Sequence, residues 1–228
     1  MAVIILTGTY GLYWGVNMFP LALLNASAPA VPPVDPILLS CLFASDFTDS
    51  SSYNTPISTV TGTPSFVGSS LYLPSGARIR TGSVDNQPQA NLSLYNKLYT
   101  IEFDIKMQSA AWPTVVLYRG SSDSANIQSI LIDSVANTIN ISNTSNSGIF
   151  ATYSLGFDSK AAFFNVKFKR ISLTDYELLI NGVVVRSTSG YASGVMDNNT
   201  DSTTYHGFRI GQPATRPFYI KNFKVTTF

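Results

Sequence analysis

The sequence predicts an all-β protein, an antiparallel β-sandwich or jelly roll behind an extended, apolar N-terminal arm. Three observations predict it. Residues Tyr99–Met107 alternate without a break. Tyr99, Ile101, Phe103, Ile105 and Met107 face one way, and Thr100, Glu102, Asp104 and Lys106 face the other, as in a half-buried antiparallel strand. Asn181-Gly182 separates two β-rich runs, Tyr176–Ile180 and Val183–Ser187, the signature of a type I′ hairpin. Turn and strand formers dominate the composition, with 14 Phe and 12 Tyr, and no long stretch repeats the i, i+3, i+4, i+7 helical pattern.

Composition narrows the function classes. The 228 residues suit one large domain, or one domain with an arm. Charged residues are 12%, about half the usual share, and the net charge is +1. No run of basic residues is present, so electrostatic capture of nucleic acid is not expected. Cys41 is the only cysteine, which excludes an intrachain disulfide framework and a cysteine-based zinc site. His206 is the only histidine, which excludes a multi-histidine metal site and leaves little for histidine catalysis.

The first element is the arm, residues 1–36. Its first charge is Asp35. Gly8, Gly11, Gly15 and Pro20, with polar Thr7, Thr9 and Asn17, interrupt any membrane-spanning helix. A basic n-region is lacking, although Ala26-Ser27-Ala28 resembles a signal-peptide cleavage site. Val3–Val16 mixes β-branched, aromatic and glycine residues and reads as an extended strand. Pro29, Pro32, Pro33 and Pro36 then make a stiff linker. An uncharged apolar arm needs cover. Ile4, Leu6, Tyr10, Leu12, Tyr13, Trp14 and Phe19 are its candidate assembly residues, either folded back on their own domain or added as a strand to a neighbouring copy.

The body, residues 37–228, reads as strand, turn, strand throughout. An apolar strand is expected at Leu38–Phe43, with Cys41 as a buried small hydrophobe. Further strands are expected near 57–61, 70–73, 77–80, 99–107, 114–118, 128–133, 138–142 and 149–154. Phe164, Val166 and Phe168 then alternate with Asn165, Lys167 and Lys169, the hairpin follows, and strands near 207–211 and 218–226 close the chain. About a dozen short strands make a sandwich or jelly roll.

The order of these segments resembles the concanavalin A-like (laminin-G-like) lectin/glucanase jelly roll, and more narrowly its versions in tailed-phage virion proteins. The residues that carry the resemblance are Leu38–Phe43 with Asp46-Phe-Thr-Asp49-Ser-Ser, Ser69–Leu73, Ala77–Arg80, Tyr99–Lys106, Phe164–Arg170, Tyr176–Val185, Phe208–Gly211 and Phe218–Val225. It covers roughly 38–228. Tyr99 and Asp104 depart from the family's "F-T-I-E-F-W-I-K" strand. The arm lies outside the resemblance.

Such a fold carries glycosidases, lectins and structural subunits, so the side chains must arbitrate. Glucanases of this fold use an E-x-D-x-x-E strand to set two carboxylates on one sheet face. Glu102 and Asp104 match its first two positions, but Met107 stands at the third. No catalytic residue is therefore assigned. Asp197-Asn198-Asn199-Thr200-Asp201 has D-x-N-x-D oxygen spacing, which makes Asp197, Asn199 and Asp201 a candidate calcium set. Asp46 and Asp49 are a second pair. The competing reading of both is Asx turns bonded to their own backbone. His206 reads as a surface or packing residue, since no G-x-S-x-G motif supports a nucleophile. Trp14, Trp112 and the tyrosines read first as core or interface aromatics and second as sugar-stacking platforms.

The resemblance implies a non-enzymatic structural protein of the virion surface. Its most concrete form is a capsid decoration (cement) protein fixed by its arm, with a tail or fibre subunit as the close variant. The partners would be the major capsid protein or tail proteins, and copies of itself. The alternative is a carbohydrate-binding, lectin-like adhesion module with a glycan partner. No cofactor is expected beyond the candidate calcium ion.

Overall fold

The computed structural model describes residues 37–81, 92, 94, 97–108, 114–119, 127–143, 148–172, 175–188, 207–211 and 216–228. The arm residues from Ile4 to Phe19, the calcium set Asp197, Asn199 and Asp201, and Trp112 and His206 lie outside them.

The described residues form fifteen strands. They are β1 (Ile37–Cys41), β2 (Ile57–Thr61), β3 (Ser65–Phe66), β4 (Leu71–Leu73), β5 (Arg78–Thr81), β6 (Tyr99–Met107), β7 (Thr114–Arg119) and β8 (Ile127–Asp133). There follow β9 (Thr138–Asn143), β10 (Gly148–Ser154), β11 (Phe164–Arg170), β12 (Tyr176–Ile180), β13 (Val183–Thr188), β14 (Gly207–Ile210) and β15 (Phe218–Thr227). Eight strands make one sheet in the order β13-β12-β11-β6-β15-β4-β3, with β1 also paired to β15. Seven make the other, β10-β9-β8-β7-β14-β5-β2. Every pairing between these strands is antiparallel. The all-β jelly-roll sandwich that the sequence predicts is the fold observed.

Period two builds the core. β6 buries every second residue from Tyr99 to Met107, β11 buries Phe164, Val166 and Phe168, and β12 buries Tyr176, Leu178 and Ile180. The seven-stranded sheet contributes Ile79, Ile130, Ile132, Ile139, Ile141, Phe208 and Ile210 to the same core. Phe223 joins the two layers: its ring lies 6.1 Å from Phe103 in its own sheet and 5.4 Å, edge-on, from Phe208 in the other. Each such ring withdrawn from water contributes about 1.5–3 kcal/mol.

The hairpin is type I′ as predicted. Asn181 and Gly182 both take positive φ, 51° and 77°. The first strand is shorter than predicted: β1 ends at Cys41, and Phe43 turns left-handed at φ 56°. There its ring is buried, and the neighbouring Leu42 carbonyl accepts the Asn222 N–H at 3.1 Å. A tertiary contact thus overrides a local strand preference. Glycine is required at Gly211 (φ 82°), where a Cβ would press into the Ala77 carbonyl.

Candidate functional site

The chemistry collects on the outer face of the eight-stranded sheet, where β11, β6, β15 and β4 lie side by side. Register fixes the layout. Asn165 lies opposite Asp104, and Lys167 opposite Glu102. Lys221 lies opposite Asp104, Tyr219 opposite Lys106, and Tyr72 opposite Tyr219. All are the alternate residues of strands whose other face is core.

A carboxylate–amide cluster occupies the centre. The Asn165 amide donates to Asp104 Oδ1 at 2.9 Å and to Glu102 Oε1 at 3.2 Å. The Asn222 amide donates to Asp104 Oδ2 at 2.6 Å. Lys167 closes the group with an ion pair to Glu102 at 3.0 Å. Asn222 reaches this face only because β15 bulges between Lys221 and Lys224. Asn222 sits there at φ 53°, a conformation asparagine tolerates better than most residues. A bulge of this kind re-aims one side chain without breaking the sheet.

An aromatic platform adjoins the cluster. The half-buried Tyr72 and Tyr219 rings lie 4.9 Å apart with a 36° tilt. Phe163 meets Tyr219 edge-on at 6.5 Å, and Lys221 Nζ lies over the Phe163 ring at 4.5 Å. At the other end of the face a groove of about 400 Å³ is lined by Thr100, Lys167, Lys169, Glu177, Leu179 and Phe228. Planar hydrogen-bonding groups beside partly exposed aromatic rings can grip a ligand that carries both hydroxyls and C–H faces.

The remaining predicted residues divide clearly. Glu102 and Asp104 do lie together, but as acceptors within a lysine and amide network. Met107 is fully buried on the opposite face, so β6 presents no third group beside them. Asp49 belongs to a turn. Its carboxylate accepts from Ser40 N (2.8 Å), Ser51 N (2.9 Å), Ser51 Oγ (2.8 Å) and Thr55 N (2.7 Å). Asp46 accepts from Thr48 N two residues on, at 3.0 Å. The Asp46 and Asp49 carboxylates thus make the i+2 backbone hydrogen bonds of an Asx turn. Among the described residues no group of three or more His, Cys, Asp or Glu gathers to hold a metal. Cys41 is buried, and that burial, with the charges of Asp49 and Asp46 adding to it, pushes its thiol far above the usual range. It is the packed small hydrophobe expected of its strand.

Sequence reasoning missed Asn165, Asn222, Tyr72 and Tyr219 as a group. Their alternation with core residues was readable, but the bulge that brings Asn222 to them leaves no periodic signal.

No family model matches the chain, and no curated protein matches it. Solved structures do resemble it in fold. The binding domain of botulinum neurotoxin serotype D matches with a TM-score of 0.63 at 14% identity, over 85% of this chain and 48% of that one. A structure reported under the statement that botulinum neurotoxin type C cell entry depends on two ganglioside molecules matches at TM-score 0.63 and 16% identity, over 84% and 47%. The neurotoxin DC binding domain, in complex with rat synaptotagmin II, matches at 0.62 and 16%, over 84% and 48%. The chain therefore spans about half the length of these binding domains. At such identity the likeness establishes a shared β-sandwich fold and nothing finer.

Proposed function

We propose that this chain is a non-catalytic carbohydrate-binding module that holds its glycan on the outer face of the eight-stranded sheet. One observation carries the reading: the Tyr72–Tyr219 platform stands beside the Asp104–Asn165–Asn222 cluster. Sugar C–H faces stack on the rings, while the free lone pairs and hydrogens of the cluster meet hydroxyls. The structural likeness to binding domains, one of them named for ganglioside-dependent entry, points the same way.

Residues 1–36 then serve as the mount, joining the module to its own copies or to a larger assembly. A virion surface is the setting that the segment-order resemblance implies. Capsid decoration as the whole function rests on that resemblance and on the arm alone, and is the weaker reading. Deleting residues 1–36 is expected to leave a folded, glycan-binding domain that no longer assembles, as judged by light scattering.

The direct test is a glycan array probed with the full chain and with Tyr219→Ala. Saturable binding that weakens about tenfold or more in the variant supports the reading. Equal binding by both proteins, or no binding by either, overturns it.

A further inference from the structure

The chain has seven lysines, and five of them, Lys106, Lys167, Lys169, Lys221 and Lys224, stand on the outer face just described; Lys97 and Lys160 are the others. The acidic residues on the same face are Glu102, Asp104 and Glu177. In a protein of net charge +1 this is a concentration of positive charge on three adjacent strands.

Pairing does not neutralise it. Lys167 is bound to Glu102. Asp104, the acid opposite Lys221 in register, takes its hydrogen bonds from two amides instead. Lys221 lies over the Phe163 ring, and Lys169 over the Phe228 ring at 5.5 Å. Lys106, Lys221 and Lys224 have no ion-pair partner among the described residues. All three are half-buried, so their stems are held against the sheet while each ammonium group keeps free donors. From the level of Lys106 to that of Lys224 is four residues of β6, roughly 13 Å at strand rise. The row borders the tyrosine platform and is longer than one sugar ring.

We propose that this face selects an acidic oligosaccharide, whose carboxylate or sulfate groups meet Lys106, Lys221 and Lys224 while a ring lies on Tyr72 and Tyr219. The proposal rests on the glycan-binding reading and adds the chemical class of the ligand. Ammonium-to-anion hydrogen bonds are charge-assisted and about twice as strong as neutral ones. Saccharides gain little from burial alone, so such contacts would dominate selection.

The test uses the full chain on an array holding neutral, uronate- or sialate-bearing and sulfated glycans. It is repeated with Lys106→Gln/Lys221→Gln/Lys224→Gln, a surface variant that leaves the core untouched. Expected are hits among the acidic glycans, with the carboxylate and sulfate arms identifying the anion. The triple variant should weaken them about tenfold or more, and so should raising salt from about 0.05 to 0.3 M. Hits confined to neutral glycans overturn the proposal and leave the glycan-binding reading standing. Acidic hits that survive the triple variant also overturn it. An empty array sinks both.

Discussion

The two faces of the eight-stranded sheet use the same strands and differ by one residue of register. On β6 the inner face is Tyr99, Ile101, Phe103, Ile105 and Met107, almost wholly removed from water. The outer face is Thr100, Glu102, Asp104 and Lys106, all partly exposed. The inner face works through volume and area, so its residues are interchangeable within limits of size. The outer face works through direction: which amide meets which carboxylate, and which ring lies beside them. Substitutions on the two faces should therefore separate cleanly into losses of stability and losses of binding.

The largest effect belongs to the inner face. Phe103→Ala removes a fully buried ring stacked near Phe223 and should cost about 3–5 kcal/mol. A urea titration would show this as a lowered midpoint, with glycan affinity of the remaining folded protein unchanged. Altered affinity in the folded fraction would mean that the faces are coupled, and the separation would fail.

The bulge in β15 sharpens the comparison, because there one residue serves both sides. Asn222 has a left-handed backbone and donates to Asp104, while the next residue, Phe223, returns to the core. Asn222→Val forces a β-branched residue into that conformation and should cost about 1–2 kcal/mol. Asn222→Gly restores the backbone freedom and still lacks the amide. The valine variant should thus lose stability and binding, and the glycine variant chiefly binding. If glycine preserved full affinity, the amide would have no part in the site.

How much of this was legible follows from the same contrast. Period two exposed the inner face of β6, β11 and β12 residue by residue, because burial on one side forces alternation. Asn181-Gly182 announced its hairpin because few other pairs accept two positive φ angles. Phe43 and Asn222 were not legible. Both are left-handed where the Asn222 N–H meets the carbonyl of Leu42, just past β1 and more than 170 residues away in sequence, and no local preference encodes that contact. The candidate site was half visible. Glu102 and Asp104 stand out in the sequence as carboxylates on one strand face, but the partners that define their role, Asn165 and Asn222, come from strands whose neighbours only the topology reveals.

A smaller effect is expected at the ion pair on the outer face. Lys167 and Glu102 are each about one-third exposed in their side chains. Such pairs contribute roughly 0–1 kcal/mol, less in salt. Glu102→Gln keeps an acceptor for Asn165 and frees Lys167, so stability should shift by under about 1 kcal/mol. On an acidic glycan its affinity should rise, since an opposing charge is gone and a lysine is released. A fall in affinity, measured by calorimetry, would place Glu102 among the groups that touch the ligand.

The smallest effect lies at the sheet's margin, where Lys97 precedes β6. Its carbonyl accepts from the Arg170 guanidinium at 3.4 Å, and burial holds its own amine below the ordinary lysine range. The charged form of Lys97 is thus disfavoured by folding, and the unfolded chain binds this proton more tightly. Stability from this group therefore rises as pH climbs from the lowered folded pKa toward the unfolded one, with the deficit present at neutral pH. Lys97→Gln removes the charge and should raise neutral-pH stability only slightly, because the side chain is only partly buried. The same variant should flatten the alkaline rise in the urea midpoint. An unchanged rise would assign it to other groups and leave Lys97 as an ordinary surface lysine.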